Sequence, residues 1–289
     1  AALLDVWERL ADSVEQSSRK VAYWLEVGRA AGAAGEAQRS SEAFEKAAQL
    51  AAGTPAAERV ARERLRVAED HGTPADVAAA IDALATILLA AFGPAGPSTE
   101  GATGTTDRAA TLRLELVALR RRQAQLARID QPEKAWELLQ QASAMAPGEP
   151  IVLADLTELA EELGRYEDLA ELVQSWQAVE GDPARAMVLS IRRADALIRG
   201  GQRDQARALL ASLEAAAPGF VVLTSAAERD ALGRKDARAF ANTLLSAAQA
   251  ALLGTWLGPG QDPQPDTNAA AALYVQAAEL LAYEVAAAN

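Results

Sequence analysis

Leu3, Trp7, Leu10 and Val14 recur at intervals of four, three and four, which lays them along one face of a helix. The same period continues along the chain and predicts fourteen helices: 2–16, 20–33, 36–51, 55–71, 74–92, 106–129, 132–145, 150–163, 166–179, 183–199, 202–216, 220–232, 235–253 and 267–288. Gly, Pro or Asp punctuates most of the boundaries. In HGTP at 71–74, Thr73 is placed to cap a helix whose first residue is Pro74. No segment alternates with period two for long enough to predict a strand.

The helical pattern repeats itself. AWELLQQASAMAPG at 135–148 aligns with ARALLASLEAAAPG at 206–219, so that Ala135, Leu138, Leu139, Ala146, Pro147 and Gly148 meet identical residues 71 positions later. LAELVQSWQAVEGD at 169–182 lies between them, at spacings of 34 and 37 residues. That is the length of helix, turn, helix and turn, and such a period marks a helical solenoid.

The repeat resembles the tetratricopeptide (TPR) unit, W-x2-L-G-x2-Y followed by A-x3-F and then P. Trp24, Val27, Gly28 and Ala31 fill its first part, and Phe44 follows, with Ser40 standing where alanine is usual. Leu119, Leu126, Ala135, Leu139 and Pro147 fill a second unit, in which Arg122 and Gln123 replace the usual Leu-Gly pair. Leu153, Leu156, Ala160, Leu169 and Val173 fill a third, and Leu197, Ala206, Leu210 and Pro218 a fourth. Weaker units run from about 58 to 92 and from about 220 to 253. The resemblance implies an all-α fold, a right-handed α-α superhelix of about seven antiparallel helix pairs. The expected division is N-terminal hairpins over 1–92, a flexible loop at 93–107, central hairpins over 108–253, a loop at 254–267 and a terminal helix at 268–289.

A longer period overlies the first. The segment from 74 to 129 is echoed about 161 residues later by helix 235–253, WLGPGQDPQPDTN and the last helix, and the opening helices match those from about 168 onward. The chain therefore reads as part of a larger array of several-helix superunits. On that reading the apolar faces Leu3/Trp7/Leu10/Val14 and Leu273/Ala277/Leu280 need no polar outer surface, and self-association through the end helices is expected.

Composition narrows the function. Half the residues are hydrophobic yet only 4% are aromatic, the difference being largely alanine, which favours helices and close helix contacts. A net charge of −12 argues against a nucleic-acid partner, because that role needs cations to displace counterions from phosphates. There is no cysteine, hence no disulfide or thiolate chemistry. The opening residues carry Asp5 and Glu8 within their apolar pattern, unlike a secretory signal, and no apolar run reaches the eighteen or so residues of a membrane span. A soluble, cytoplasmic protein without membrane insertion is the expectation.

Two glycine-rich stretches invite a phosphate-binding reading. GRAAGAAG at 28–35 lacks both the preceding strand and the G-x-G-x-x-G spacing of a dinucleotide site. The resemblance supplies another role: small residues at Gly28 and Gly32 let the second helix of the unit lie close, and Gly35 takes the turn. GPSTEGAT at 96–103 mimics a phosphate loop but has Ala102 in place of the lysine, and reads as a flexible insertion. No cofactor is expected.

His71, the one histidine, ends a helix where it interacts favourably with the terminal carbonyls, and it has no histidine or cysteine partner for catalysis or metal binding. The carboxylates Asp155, Glu158, Glu161, Glu162, Glu167, Asp168 and Glu171 read as a solvated surface. The chain is therefore expected to be noncatalytic and to hold no metal.

A scaffold for a protein or peptide partner is the leading expectation; the alternatives are a structural segment of a larger self-associating array and a regulatory helical domain binding a small effector. In TPR arrays the first helix of each unit lines a concave surface that receives a peptide or helix. By register, Leu112, Leu116, Leu119 and Leu126 face the core, and Arg120, Arg121, Ala124 and Arg128 turn toward that surface. The same register places Asp155, Glu158 and Glu162 there on the next unit, and Arg192, Asp195 and Arg199 on the one after. The competing reading is that these charges pair between neighbouring units. The carboxylate clamp of some family members, lysine and asparagine on successive first helices, is not reproduced at Leu25 and Arg29 or at Arg120 and Ala124. Trp256 and Leu257, beside the second long loop, are a further candidate anchor.

Overall fold

The computed structural model describes residues 2–91, 106–255 and 264–288. Among them every regular element is a helix: α1 (Ala2–Ser13), α2 (Ser17–Ala33), α3 (Ala37–Ala51), α4 (Ala56–His71), α5 (Pro74–Ala91), α6 (Thr106–Ala127), α7 (Pro132–Met145), α8 (Pro150–Glu162), α9 (Tyr166–Val179), α10 (Pro183–Arg199), α11 (Arg203–Ala216), α12 (Val222–Arg234), α13 (Ala237–Leu253) and α14 (Thr267–Ala288). The motifs at 96–103 and at Trp256 and Leu257 lie outside the described residues.

Two compact units, Ala1–Pro147 and Gly148–Asn289, divide the chain in the turn after α7, whereas the sequence suggested divisions at the two long loops. The first unit contains the hairpins α2/α3, α4/α5 and α6/α7, with α1 packed on α2; the second contains α8/α9, α10/α11 and α12/α13, with α14 packed on α13. In the first, α2 touches both α3 and α4; in the second, α10 touches both α11 and α12. First helices α2 and α10 thus meet their own partners and the first helices of the next hairpins, the arrangement of a TPR-like helical repeat.

The hairpins exist because each helix has an apolar stripe that its neighbours cover. In the first unit Trp24, Leu25, Val27, Phe44, Val60 and Val67 form one cluster, and Leu65, Ile81, Leu84, Leu88, Leu116 and Leu119 a second. In the second unit Ile191, Leu213, Phe220 and Leu223 cluster between α10, α11 and α12, and Leu244 with Ala241 and Ala277 joins α13 to α14. Burying one such leucine or phenylalanine stabilises by about 1.5–3 kcal/mol relative to exposure.

The glycines of 28–35 do what close packing requires. A Cβ on Gly28 would sit 2.8 Å from the Phe44 ring, so α3 approaches α2 only because that side chain is absent. Ser40, in the usual alanine position, is buried and its hydroxyl donates to the Gly28 carbonyl at 2.8 Å, which satisfies the group without adding bulk. Gly32 differs from expectation. Its absent Cβ would meet Val67 of α4 at 2.4 Å, so it admits the next hairpin more than its own.

Local signals set the helix ends. Thr73 and Asp76 cap α5 reciprocally, the Asp76 amide donating to Thr73 Oγ1 at 3.3 Å and the Thr73 amide to Asp76 Oδ2 at 2.9 Å. Asp182 and Asp236 cap α10 and α13 by accepting from the amides of Ala184 and Ala239. Helix α1 stops at Ser13, short of the expected Gln16, because the Gln16 carbonyl already begins α2 by accepting from the Arg19 and Lys20 amides. Helix α12 runs through Gly233, where the sequence suggested an end, and closes instead at Lys235, with φ of 57°.

Two further expectations are corrected. On α1 the face toward the core is Leu4 and Ala11 with Trp7 beside Tyr23, whereas Leu3 is 64% exposed and Val6 and Leu10 are also exposed. The apolar pattern there is wider than one stripe, and α2 and α3 cover only part of it. Helix α5 is long and apolar enough to cross a membrane, contrary to the reading that no run reaches that length. Its Ile81, Leu84, Ala85 and Leu88 are buried in the first unit and its Asp82 is ion-paired with Arg120.

Candidate partner-binding faces

In the first unit α6 carries the arginine group singled out above. Leu116 and Leu119 are buried and Leu112 and Leu126 pack partly against the same cluster, as expected. Arg120 does not turn outward. Its side chain is only 12% exposed and donates to Asp82 Oδ1 on α5 at 2.9 Å and to Gln123 Oε1 at 2.8 Å. Burial pushes the Asp82 carboxyl up, but hydrogen bonds from Gln123 and Arg120 outweigh it and leave the group below its usual range. Ala124 is buried outright. The reason is angular: at about 100° per residue, position 120 lies only some 40° from Leu116 around the helix, inside the covered stripe. Arg121 and Arg128 are half-buried and each interacts with neighbouring groups, so the three arginines do not form one exposed cluster.

Elsewhere in this unit, charges join one hairpin to the next. Arg29 on α2 pairs with Glu63 on α4 at 2.6 Å and with Glu26 at 2.8 Å, and Arg66 also reaches Glu63. The Arg29 hydrogen bond holds the Glu63 carboxyl below its usual range. Arg62 on α4 bridges Glu58 and Glu115, the latter on α6 at 2.9 Å through Nη2, and Glu69 pairs with Arg122. Arg39 on α3 gathers Asp5, Glu8 and Glu36, and its hydrogen bonds lower the pKa of Asp5 and Glu8.

The second unit has the same construction. Arg192 and Arg199 of α10 both reach Glu161 of α8, at 3.2 and 3.3 Å. Asp195 lies between Arg199 at 3.2 Å and Arg229 of α12 at 2.6 Å. Arg199 also lies over the Tyr166 ring. Asp155 is half-buried and Glu158 and Glu162 are exposed, all three interacting with neighbours. Of the predicted residues, then, Arg192, Asp195 and Arg199 come together in one row. Glu161 and Arg229, which complete it, were not selected from the sequence. For Arg229 the signal was spacing: Asp195 and Arg229 stand 34 residues apart, as do Arg29 and Glu63 and Asp5 and Arg39, one repeat length in each case.

His71 ends α4 and lines a cleft of about 70 Å³ with Gly32, Ser40, Phe44 and Asp76. The Asp76 carboxyl is held below its usual range by hydrogen bonds from the side chain and amide of Thr73. Among the described residues no three histidine or acidic side chains gather in a way that would hold a metal ion.

No family model matches the chain and no curated protein matches it. Among solved structures it is similar to the MamA protein, at 14% identity over 68% of this chain and 91% of that one, with a TM-score of 0.36. It is also similar to the TPR domain of P58(IPK), at 13% identity over 91% of this chain and 80% of that one, with a TM-score of 0.28.

Proposed function

We propose that the chain is a noncatalytic protein-interaction scaffold that receives an extended peptide or a partner helix along its first helices. The observation that carries this reading is the charged row on those helices. Ion pairs between successive hairpins hold the first helices in register, so a partner loses freedom on docking while the receptor loses little. Glu158 and Glu162, exposed on α8, are the candidate contacts in the second unit, and Arg121 and Arg128 those in the first. Arg120 is a positioning residue.

The test is enrichment of peptides from a random display library on the wild-type protein, followed by titration against Arg121→Ala/Arg128→Ala and Glu158→Lys/Glu162→Lys variants. Affinity should fall about tenfold in at least one variant while helicity is unchanged. If no peptide is enriched, or every enriched peptide binds all variants equally, the reading fails.

A second reading is favoured by one specific feature, the outer stripe Leu3, Val6 and Leu10 of α1. Together with Val275 and Tyr283 exposed on α14, it supports self-association through the end helices. Sedimentation across concentration tests it: mass should rise with concentration in the wild type and not in a Leu3→Gln/Val6→Gln variant.

A further inference from the structure

Alanine leaves a gap between the second helices of the first two hairpins. Ala48 of α3, Ala52 just after it, Val60 and Ala61 of α4, and Ala83 and Ile87 of α5 line one groove. Phe44 closes one side, and the groove holds about 280 Å³. At the ~30 Å³ that a water molecule occupies in the liquid, this is room for roughly nine small heavy atoms, near the lower limit of ordinary ligand pockets. Its lining is apolar apart from one side chain, Arg64.

Arg64 differs from the other arginines of its helix that have been described. Arg62 and Arg66 bind carboxylates on the first-helix face. Position 64 is two residues from each, about 200° around the helix, and so turns to the opposite side. There it is half-buried between the groove and the cleft beside His71. Among the described residues its side chain has no ion pair or hydrogen bond, and Asp76 acts on it only as a more distant charge. A half-buried guanidinium beside an apolar trough is suited to a carboxylate whose apolar tail fills the trough, because the planar fork binds two oxygens at once.

We infer that the α3/α4/α5 groove binds a small apolar monocarboxylate, a fatty acid of about eight carbons, with its carboxylate on Arg64 and its chain along Ala48, Ala83 and Ile87. The site lies apart from the charged rows on the first helices, so it stands or falls independently of the peptide-scaffold reading.

The probes are octanoate and octan-1-ol, which share a chain length and differ in charge. Binding is followed by the methyl resonance of Ile87, with that of Ile191 in the second unit as internal control. Octanoate should shift Ile87 and leave Ile191 in place, with an affinity about tenfold or more above that of the alcohol. Arg64→Gln should remove that preference while retaining weak binding of both. Ala83→Leu, which fills the groove, should abolish binding of both. Equal affinity for acid and alcohol in the wild type, no Ile87 shift at millimolar octanoate, or unaltered binding in Ala83→Leu would each overturn the proposal. It also falls if the chain self-associates at the working concentration and Ala83→Leu makes it monomeric, since a second copy then occupies the groove.

Discussion

The second unit closes three successive hairpins with the same turn, while the first closes its three in three different ways. After α8, α10 and α12 the amide of Arg165, Gln202 or Asp236 donates to the carbonyl five residues back, at Ala160, Leu197 or Ala231. The residue before it is left-handed in each case: Gly164, Gly201 and Lys235. In the first unit only the α2/α3 turn has this form, at Gly35. The α4/α5 turn passes through an extended Gly72 into the Thr73 cap, and the α6/α7 turn carries no left-handed residue. Cross-hairpin pairs track the turn they span, Arg29 and Glu63 lying 34 residues apart across the α2/α3 turn of this same form. Asp195 and Arg229 are 34 residues apart, whereas both pairs joining α4 to α6 span 53. Because those two separations are equal, α4 and α6 run in the same direction and in register despite the longer stretch between them. Where the turn repeats, the spacing of the chain sets the stacking. Where it does not, side-chain contacts must set it.

The largest expected effect lies in the regular unit. Gly219 is left-handed, with φ of 73°, and a Cβ there would sit 2.4 Å from the Ser246 carbonyl oxygen, a backbone atom that cannot swing aside. Gly201 is equally left-handed but has open space around it. Gly219→Ala should therefore destabilise the second unit by about 3 kcal/mol, and Gly201→Ala by only about 1 kcal/mol. Chemical denaturation monitored by hydrogen exchange in α11–α13 measures both. Equal losses would show that conformation alone, not packing against α13, governs these turns.

Acid should act next, and on the first unit. Asp5, Glu8, Glu63, Asp76 and Asp82 all have carboxyls held below their usual values. A depressed folded pKa means that the unfolded chain binds more protons, so the stabilisation is complete above about pH 4.5 and is lost as pH falls through the folded values. Exchange protection in α2–α5 should decline below about pH 4.5, and 1 M salt should shrink the decline, because most of these groups are partly exposed. A flat protection profile down to pH 3 would remove the charge pairs from the account of this unit.

Packing was legible in the sequence and pairing was not. The period of the apolar residues placed every helix to within about three residues, and the TPR resemblance assigned Gly28 to the close approach of the second helix, which the structure makes at Phe44, because small-residue spacing encodes backbone approach directly. Thr73 and Pro74 announced the start of α5 for a similarly local reason. Arg120 was misplaced because a polar residue 40° from the centre of an apolar stripe is read as exposed, although Asp82 and Gln123, on another helix and the next turn, make its burial tolerable. Gly233 was misread as a stop because turn register depends on the Ala231 carbonyl and on Arg203, which donates to the Gly233 carbonyl at 3.1 Å. The role of Glu161 needed the distance between two hairpins, which a linear sequence does not contain.

Lys235 offers a gain instead of a loss. It occupies the position that glycine holds in the two preceding turns of its unit, at the cost of a left-handed backbone for a residue with a Cβ. Lys235→Gly should stabilise the second unit by about 0.5–1 kcal/mol, read as an increase in denaturation midpoint without change in slope. No gain would mean that contacts of the lysine stem offset the strain, and the three turns would then differ in energy while agreeing in geometry.

The smallest effect bears most directly on how α4 and α6 stay in register. Arg62 and Glu115 are partly exposed, so removing either should cost no more than about 1 kcal/mol. What distinguishes a registering contact from an incidental one is coupling. In a double-mutant cycle of Arg62→Gln and Glu115→Gln, the interaction energy should be about 0.5 kcal/mol at low salt and near zero at 1 M salt. The equivalent cycle of Arg122→Gln and Glu69→Gln should behave alike, since the same 53-residue separation places both pairs between the same two helices. Coupling in one cycle and none in the other would mean that α4 and α6 pivot about a single contact, and the apolar cluster around Leu65, Leu116 and Leu119 would then be what aligns them.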